Sequence, residues 1–162
     1  MNRILALDAS STAIGWALFV NGKHYKSGVE KLKGKTVEER IFYMCGVGTS
    51  LEWREIFPTH LAIEEPWAIT GHSAATASAL NRMLGAIVAH YHDTKSMRAV
   101  HLVQVSAWRK TCGIRGRGTD VLKRAAIRFA SALTSQEITD HNQAEAIGVG
   151  HHFVSTYKET EK

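Results

Sequence analysis

Two acidic residues stand in parts of the sequence where acidic side chains are uncommon. Asp8 interrupts an apolar stretch that reads as a β-strand, and Glu64 ends a second apolar stretch at residues 61–63. Asp is a poor strand former, and an unpaired buried charge is costly. We therefore expect each carboxylate to need a cation or hydrogen-bond donors, although a solvated strand end would explain Glu64 taken alone.

A third group of polar residues opens the last predicted helix, at residues 140–145. Asp140 is a good helix N-cap, and that role alone would explain it. Glu145 directly precedes an apolar run that must lie against a sheet. Asn142 stands three residues before Glu145, so both side chains project from one side of the helix. We expect that side of the helix to complete a site with the two strand carboxylates.

Several carboxylates at one site repel each other, which raises their pKa or unfolds the site unless a divalent cation is present. Oxygen ligands select Mg²⁺, or Mn²⁺, over zinc. Two such ions about 4 Å apart are a standard means of hydrolysing phosphodiesters. The predicted chemistry is therefore phosphodiester hydrolysis with two metal ions. The predicted catalytic residues are Asp8, Glu64, Asp140 and Glu145, and the predicted metal ligands are Asp8, Glu64, Asn142 and Glu145.

The distribution of positive charge predicts a polyanionic partner. The chain of 162 residues has a formal net charge of +5, and residues 109–128 are rich in Lys and Arg, interleaved with three glycines. The residues predicted to contact DNA here are Arg109, Lys110, Arg115, Arg117, Lys123 and Arg124. For the last two, the solvated face of an amphipathic helix is an alternative explanation. Arg115 and Arg117 have no apolar face to solubilise, which favours contact with phosphates.

The elements that must position these residues follow from apolar spacing and turn signals. Strands are predicted at residues 3–8, 14–20, 24–32, 60–64 and 99–105, and helices at 36–57, 73–92, 119–133 and 140–157. Asn21 and Gly22 are typical of a tight hairpin turn between the second and third strands. Three antiparallel strands followed by alternating helices and strands indicate an α/β fold with a mixed five-stranded sheet flanked by helices.

Length and composition favour a single domain spanning residues 1–162. There is no run of about 18 apolar residues and no basic-then-apolar leader, which predicts a cytoplasmic protein without a membrane partner. Cys45 and Cys112 lack any disulfide or zinc spacing. We expect no small-molecule cofactor.

Four segments, in order along the chain, resemble the motifs of the RuvC-type Holliday junction resolvases, especially phage-encoded ones. Residues 4–17 read ILALDASSTAIGWA and residues 61–67 read LAIEEPW, which are similar to the first two motifs. Residues 110–113, KTCG, precede a glycine-rich turn and Lys123, as in the basic segment that lies against DNA in that family. Residues 142–146, NQAEA, are similar to the last motif.

This resemblance implies a ribonuclease H-like fold and the activity of a crossover junction endodeoxyribonuclease acting in DNA recombination and repair. The implied substrates are Holliday junctions, three-way junctions and flaps. The resemblance also implies a homodimer formed through the helix at residues 73–92, and, if the chain is phage-encoded, a location in a bacterial host cell. Those resolvases carry an aromatic residue at the place of Trp67, which favours stacking of Trp67 on a base or its insertion into an opened junction, although ordinary packing of a large side chain would also explain it.

The last motif departs from the family pattern at two positions. Glu145 replaces the final Asp, and the neutral Asn142 stands where the family has Asp or His. Asn142 offers a carbonyl oxygen, and Asp140 or His141 is an alternative fourth ligand. Two other functions follow if the motifs are read differently. One is a DNA-binding module with a degenerate site. The other is an actin-like nucleotide-binding lobe, which the short chain disfavours because such proteins need two lobes.

Overall fold

A computed structural model of the chain describes residues 2–45, 57–65, 74–92 and 97–157. The strands are β1 (Arg3–Ala9), β2 (Ala13–Val20), β3 (Lys23–Lys31), β4 (His60–Glu64) and β5 (Ala99–Val103). The helices are α1 (Val37–Cys45), α2 (Ala74–His92), α3 (Val105–Thr111), α4 (Thr119–Thr134) and α5 (His141–Thr156).

The five strands form one mixed sheet in the order β3-β2-β1-β4-β5. β1, β2 and β3 pair antiparallel, whereas β4 pairs parallel with β1 and with β5. Asn21 and Gly22 form the turn between β2 and β3, both with positive φ, as a tight hairpin requires. The predicted mixed five-stranded sheet flanked by helices is confirmed. Because β1 and β4 are parallel neighbours, their carboxyl ends meet at one edge of the sheet.

Each face of the sheet carries its own apolar core. On one face, Ile4 and Ala6 of β1 pack in a cluster to which α3, α4 and α5 contribute. On the other face, Leu5 and Leu7 pack in a cluster that includes residues of α1 and α2. Successive side chains of a strand point to opposite faces, so Asp8 follows Ala6 onto the face that α5 covers. Glu64 follows Ala62 of β4 onto the same face.

The structure differs from the sequence prediction mainly between β5 and α4. β5 ends at Val103, not at residue 105, because Val105 begins α3, a helix that the sequence did not predict. α3 has only seven residues, too few for a helical period to stand out, and its N-cap Gln104 makes no side-chain capping hydrogen bond. The sequence predicts that α1 reaches residue 57. It is helical to Cys45, Phe57 is not helical, and residues 46–56 lie outside the described part of the chain.

None of the helices in the described ranges combines the length and apolar character that a membrane span requires. The single-domain organisation stays a prediction.

Candidate metal centre

Three carboxylates meet at the carboxyl-terminal edge of the parallel strands. Asp8 lies near the end of β1, Glu64 is the last residue of β4, and Glu145 lies in α5. One carboxylate oxygen from each of them lies within 4.8 Å of the other two. Asp8 and Glu145 are each only 8% exposed. We call these three residues the acidic cluster.

The first turn of α5 reaches the acidic cluster because β2 carries a glycine at the point of contact. Gly15 is the β2 residue paired with Asp8. A Cβ atom built on Gly15 would clash with the backbone carbonyl of Asn142, in the first turn of α5. Gly150, farther along α5, likewise has no room for a Cβ against the ring of Phe19. Glycine at these contacts lets the helix lie directly on the sheet, which brings Glu145 to Asp8.

The short helix α3 supplies a hydrogen-bond donor to the acidic cluster. Trp108 is 0% exposed, and its indole Nε1 donates to Oε2 of Glu64 at 2.7 Å. A Cβ on Gly148 of α5 would lie 2.7 Å from an atom of the Trp108 ring, so the indole fills the space that this glycine leaves open. Trp108 therefore links the end of β4 to α5 through one buried side chain.

Arg109, the next residue of α3, contacts a second carboxylate. Its Nη2 lies 3.4 Å from Oε1 of Glu145, with the Arg109 side chain 28% exposed. The guanidinium carbon also lies 5.3 Å from the centre of the Trp108 ring, within the range of a cation–π contact. Arg109, predicted as a DNA contact, is thus placed beside the acidic cluster.

Burial and repulsion between the carboxylates dominate the electrostatics of the acidic cluster. Burial, followed by the charges of Glu64 and Glu145, raises the pKa of Asp8 well above its ordinary value. Burial and then the charge of Glu145 raise the pKa of Glu64 to about 7, although the Trp108 N–H and Arg109 act in the opposite direction. Without a bound cation, Asp8 and Glu64 therefore keep their protons to a higher pH than ordinary carboxyl groups do.

The other candidate residues at the start of α5 have different positions. Asp140 is the N-cap of α5, and its Oδ1 accepts hydrogen bonds from the backbone N–H groups of Asn142 and Gln143. It lies near enough to Asp8 for its charge to raise the pKa of Asp8, as the last of five causes. Asp140 does not belong to the set of three mutually close carboxylates. Asn142 and His141 are partly exposed in the first turn of α5.

The remaining basic candidates lie at the surface beyond α3. Lys110, Arg115, Arg117 and Arg124 are exposed and Lys123 is partly exposed. Residues 115–118, which we call the basic loop, contain Gly116 with φ 141° and Gly118 with φ 89°, conformations that favour glycine. A Cβ on Gly116 would clash with Val121, so the loop packs against the start of α4. Trp67, the predicted aromatic DNA contact, lies outside the described residues.

Sequence reasoning missed Trp108 and Gly15 as parts of the candidate site. Trp108 lies in a short segment that follows Gln104 and has no capping signal. Nothing in the spacing of the sequence connects Trp108 with Glu64. Gly15 gave a usable signal, because a glycine within an apolar strand often marks close approach of another backbone. That signal locates a close contact without saying which element makes it.

Comparisons with known proteins establish the fold. No model of a known protein family matches the sequence, and no curated protein matches it. A structure of RuvC from T. thermophilus in complex with Holliday junction substrate superimposes with a TM-score of 0.71 and 13% identity, covering 94% of this chain and 92% of that one. A second structure of Thermus thermophilus RuvC has a TM-score of 0.65 and 15% identity, covering 93% and 92%. The chain therefore has the predicted ribonuclease H-like fold, in the form that RuvC has.

Proposed function

We propose that this chain is a metal-dependent endonuclease that cleaves branched DNA. The observation that carries the proposal is the acidic cluster, three carboxylates within 4.8 Å of one another on a fold shared with RuvC. The RuvC structure with Holliday junction substrate supports branched DNA as the substrate class. At 13% identity this likeness offers only an analogy of fold for the activity. The proposed chemistry is therefore inferred from the acidic cluster itself.

The side chains of the acidic cluster fit a divalent cation. All the donors are carboxylate oxygens, which are the ligands that Mg²⁺ and Mn²⁺ prefer. Burial, followed by repulsion between the neighbouring carboxylates, raises the pKa of Asp8 and Glu64, as expected for acidic groups enclosed together without a cation. We therefore propose Asp8, Glu64 and Glu145 as metal ligands, with the side-chain oxygen of Asn142 as a fourth. The involvement of two ions stays a prediction.

A divalent cation at this site would activate a water molecule and stabilise the leaving oxygen of the phosphodiester. The residues of the chain then have separate tasks. Asp8, Glu64 and Glu145 supply negative charge and hold the metal, and Trp108 orients Glu64 through its indole N–H. Asp140 fixes the first turn of α5 by capping it, which supports the position of Glu145. We propose this capping task for Asp140 in place of the direct catalytic role that the sequence suggests.

The basic surface suits the DNA backbone. Lys110, Arg115, Arg117, Lys123 and Arg124 are near or at the surface, and such side chains bind phosphates without reading sequence. We propose that the enzyme selects DNA by shape, with a preference for four-way junctions, three-way junctions and flaps over linear duplex. Cleavage of two strands across a junction requires two active sites, which is the reason to expect a homodimer. The homodimer through α2 stays a prediction. The contact of Trp67 with the junction also stays a prediction.

Cleavage assays test the proposal. Equal concentrations of junction, flap and linear duplex are incubated with the protein and Mg²⁺ at near-physiological salt, with and without EDTA. We expect Mg²⁺-dependent cleavage of the branched forms. Asp8→Asn should abolish cleavage while DNA binding is kept or strengthened, because the change removes negative charge from the site that the DNA must approach.

Each other outcome has a definite meaning. Equal cutting of all three DNA forms would leave a general nuclease, and wild-type cleavage by Asp8→Asn would show that the acidic cluster is not the active site. Tight binding of junctions without any Mg²⁺-dependent cleavage would favour a DNA-binding module with a degenerate site.

A further inference from the structure

We propose that Trp108 makes this metal centre discriminate Mg²⁺ from Ca²⁺, by holding Glu64 so that it presents one carboxylate oxygen to the ion. The inference rests on the metal centre of the proposed function and concerns a residue outside the acidic cluster. Trp108 is here a positioning residue, because it acts on the ion only through Glu64.

The contact between Trp108 and Glu64 is short and has little freedom. The donor Nε1 lies 2.7 Å from Oε2 of Glu64, and the indole is 0% exposed. The indole is confined by α5, where Gly148 leaves only enough room for the edge of the ring. An indole N–H is a donor only and does not titrate in the physiological range, so the hydrogen bond is available at any working pH. One acceptor position of Oε2 is thus taken by Trp108, and this hydrogen bond fixes the orientation of the Glu64 carboxylate.

The number of oxygens that a carboxylate presents bears on which cation it suits. Ca²⁺ takes about 6–8 oxygen ligands in flexible geometry and often binds both oxygens of one carboxylate. Mg²⁺ demands near-octahedral geometry at about 2.0–2.1 Å and is served by single oxygens and water. A Glu64 carboxylate that is held in one orientation, with one oxygen already accepting an N–H, is less free to turn both oxygens toward an ion, which suits Mg²⁺ better than Ca²⁺.

Arg109 extends the same arrangement to a second ligand. Its guanidinium lies 3.4 Å from Oε1 of Glu145 and 5.3 Å from the centre of the Trp108 ring. Two adjacent residues of α3 thus each contact one oxygen of a different carboxylate in the acidic cluster. The Trp108 contact is the shorter and the more buried, so the test is made there.

The test measures binding of each ion to the whole chain without DNA, through the rise in melting temperature with increasing MgCl₂ or CaCl₂ at constant ionic strength. It compares the unaltered protein with Trp108→Phe, which keeps an aromatic ring and removes the N–H. Trp16→Phe is the matched control, because Trp16 is a buried tryptophan in the core on the opposite face of the sheet. Asp8→Asn reports whether the stabilising ion occupies the acidic cluster.

We expect Trp108→Phe to weaken the affinity for Mg²⁺ by about tenfold, the lower end of the usual loss when a group that orients a ligand is removed. The affinity for Ca²⁺ should be unchanged or tighter, so that the ratio of the two affinities falls. Trp16→Phe should keep the ratio of the unaltered protein. An equal loss for both ions, or no loss, in Trp108→Phe would overturn the inference while leaving the metal centre intact. Stabilisation by Mg²⁺ that persists in Asp8→Asn would instead overturn the metal centre, and this inference with it.

A measurement on the unaltered protein keeps the inference testable if Trp108→Phe does not fold. Hydrogen exchange of the Trp108 indole N–H is followed by NMR in metal-free and Mg²⁺-saturated protein. We expect slow exchange in both states, since the hydrogen bond to Glu64 must persist when Mg²⁺ binds. Fast exchange in the Mg²⁺-saturated protein would overturn the inference.

Discussion

The acidic cluster and the basic loop are both made of charged residues, but the structure holds them in opposite ways. Asp8 and Glu145 are each 8% exposed, and the third acid of the cluster is fixed by a buried indole. Arg115 and Arg117 are exposed, and the glycines between and after them have positive φ. Chemistry at a metal requires ligands at fixed positions, whereas binding to phosphates requires charge and reach. The different burial of the two regions fits these different requirements.

Arg109 lies where the two regions meet. It belongs by sequence to the basic stretch, yet its guanidinium contacts Glu145 and the ring of Trp108. Substitutions in the acidic cluster should therefore lower the rate of cleavage, and substitutions in the basic loop should weaken DNA binding. Substitution of Arg109 should lower the rate of cleavage, as substitutions in the acidic cluster do.

Outside the acidic cluster itself, the largest effect is expected from closing the contact between α5 and the sheet. Gly15→Ala places a Cβ against the backbone carbonyl of Asn142, which cannot move without shifting the first turn of α5. We expect the free energy of unfolding to fall by about 1–3 kcal/mol, as for other overpacked sites. Cleavage of a junction should fall by about a hundredfold, because a shift of about 1 Å in a catalytic group costs that much.

Gly85→Ala is the matched control for this prediction. Gly85 lies in α2, and within a single chain a Cβ atom added to it would have nothing within 4 Å, so the same change meets open space there and serves as a control for the stability of the fold. Alanine there should be neutral or stabilise the helix by about 0.5–1 kcal/mol. Chemical denaturation of both variants, and the cleavage rate of Gly15→Ala, test the prediction. Normal cleavage by Gly15→Ala would show that the position of α5 is not critical for the acidic cluster.

The second prediction concerns the pH dependence of stability that follows from the raised pKa of Glu64. The folded-state pKa of Glu64 is raised to about 7, so the folded protein binds a proton that the unfolded chain releases at lower pH. Stability from this group is therefore lost as pH rises from its ordinary pKa of 4.5 toward 7. In EDTA at pH 8, Glu64→Gln should be more stable than the unaltered protein by a few kcal/mol at most, since one pKa unit corresponds to about 1.4 kcal/mol.

At pH 5 this difference should shrink, because Glu64 then holds a proton in the folded protein. The two proteins must be compared because the histidines also make stability depend on pH. Burial lowers the pKa of His24, His101, His151 and His152, so their contribution to stability increases as pH rises, opposite to that of Glu64. Both proteins share the histidine contribution, so it cancels in the comparison. Thermal unfolding at both pH values gives the result. Adding Mg²⁺ at pH 8 should stabilise the unaltered protein and affect Glu64→Gln much less. A pH-independent difference would mean that Glu64 is not the group that titrates.

The third prediction assigns Arg109 to one of the two regions. Arg109→Gln should lower the rate of cleavage at saturating junction by about tenfold, as loss of a group that orients a ligand does, while changing junction affinity little. Arg109→Lys keeps the charge without the planar fork of the guanidinium. If Arg109 orients Glu145, lysine should restore little of the cleavage rate. Full restoration by lysine, or a loss confined to affinity, would place Arg109 with the phosphate-binding residues.

The carboxylates were predictable from the sequence because each breaks a local rule. Asp8 stands in an apolar strand, Glu64 ends another, and Glu145 precedes an apolar helical face. The period of two in a strand and the parallel pairing of β1 with β4 then bring the first two together. The mixed sheet and the order of the elements other than α3 were predicted for the same reason, since apolar periodicity and turn signals are local properties of the chain.

The groups that hold the carboxylates were not predictable in this way. Trp108 meets Glu64 across 44 residues of sequence, and its helix α3 has neither a capping signal nor enough length for a period. The placement of Arg109 was equally hidden, because charge alone does not distinguish an arginine that binds a carboxylate from one that binds phosphate. Both contacts depend on how α3 packs against α5, which is a property of the tertiary structure.

The smallest effect is expected in the basic loop. Changing Arg115 and Arg117 together to Ala removes two exposed charges and should weaken junction binding several-fold. Each phosphate contact contributes about 0.9 to the slope of log affinity against log salt concentration, so the slope should fall by about 2. The cleavage rate at saturating junction should stay the same, because Arg115 and Arg117 are proposed to bind phosphates and not to hold the metal.

Lys23 and Lys31 provide the matched control for this change. Both are exposed on β3, and changing both to Ala lowers the net charge by the same amount. If the basic loop contacts phosphates directly, only the arginine variant should show the reduced salt slope. Equal effects of the two variants would mean that overall charge attracts the DNA, and an arginine variant with unaltered affinity would return Arg115 and Arg117 to the role of solvated surface. Binding titrations at three or more salt concentrations distinguish these results. Loss of a direct phosphate contact lowers the slope of log affinity against log salt concentration in the arginine variant alone. Loss of general electrostatic attraction affects the arginine variant and the lysine variant equally.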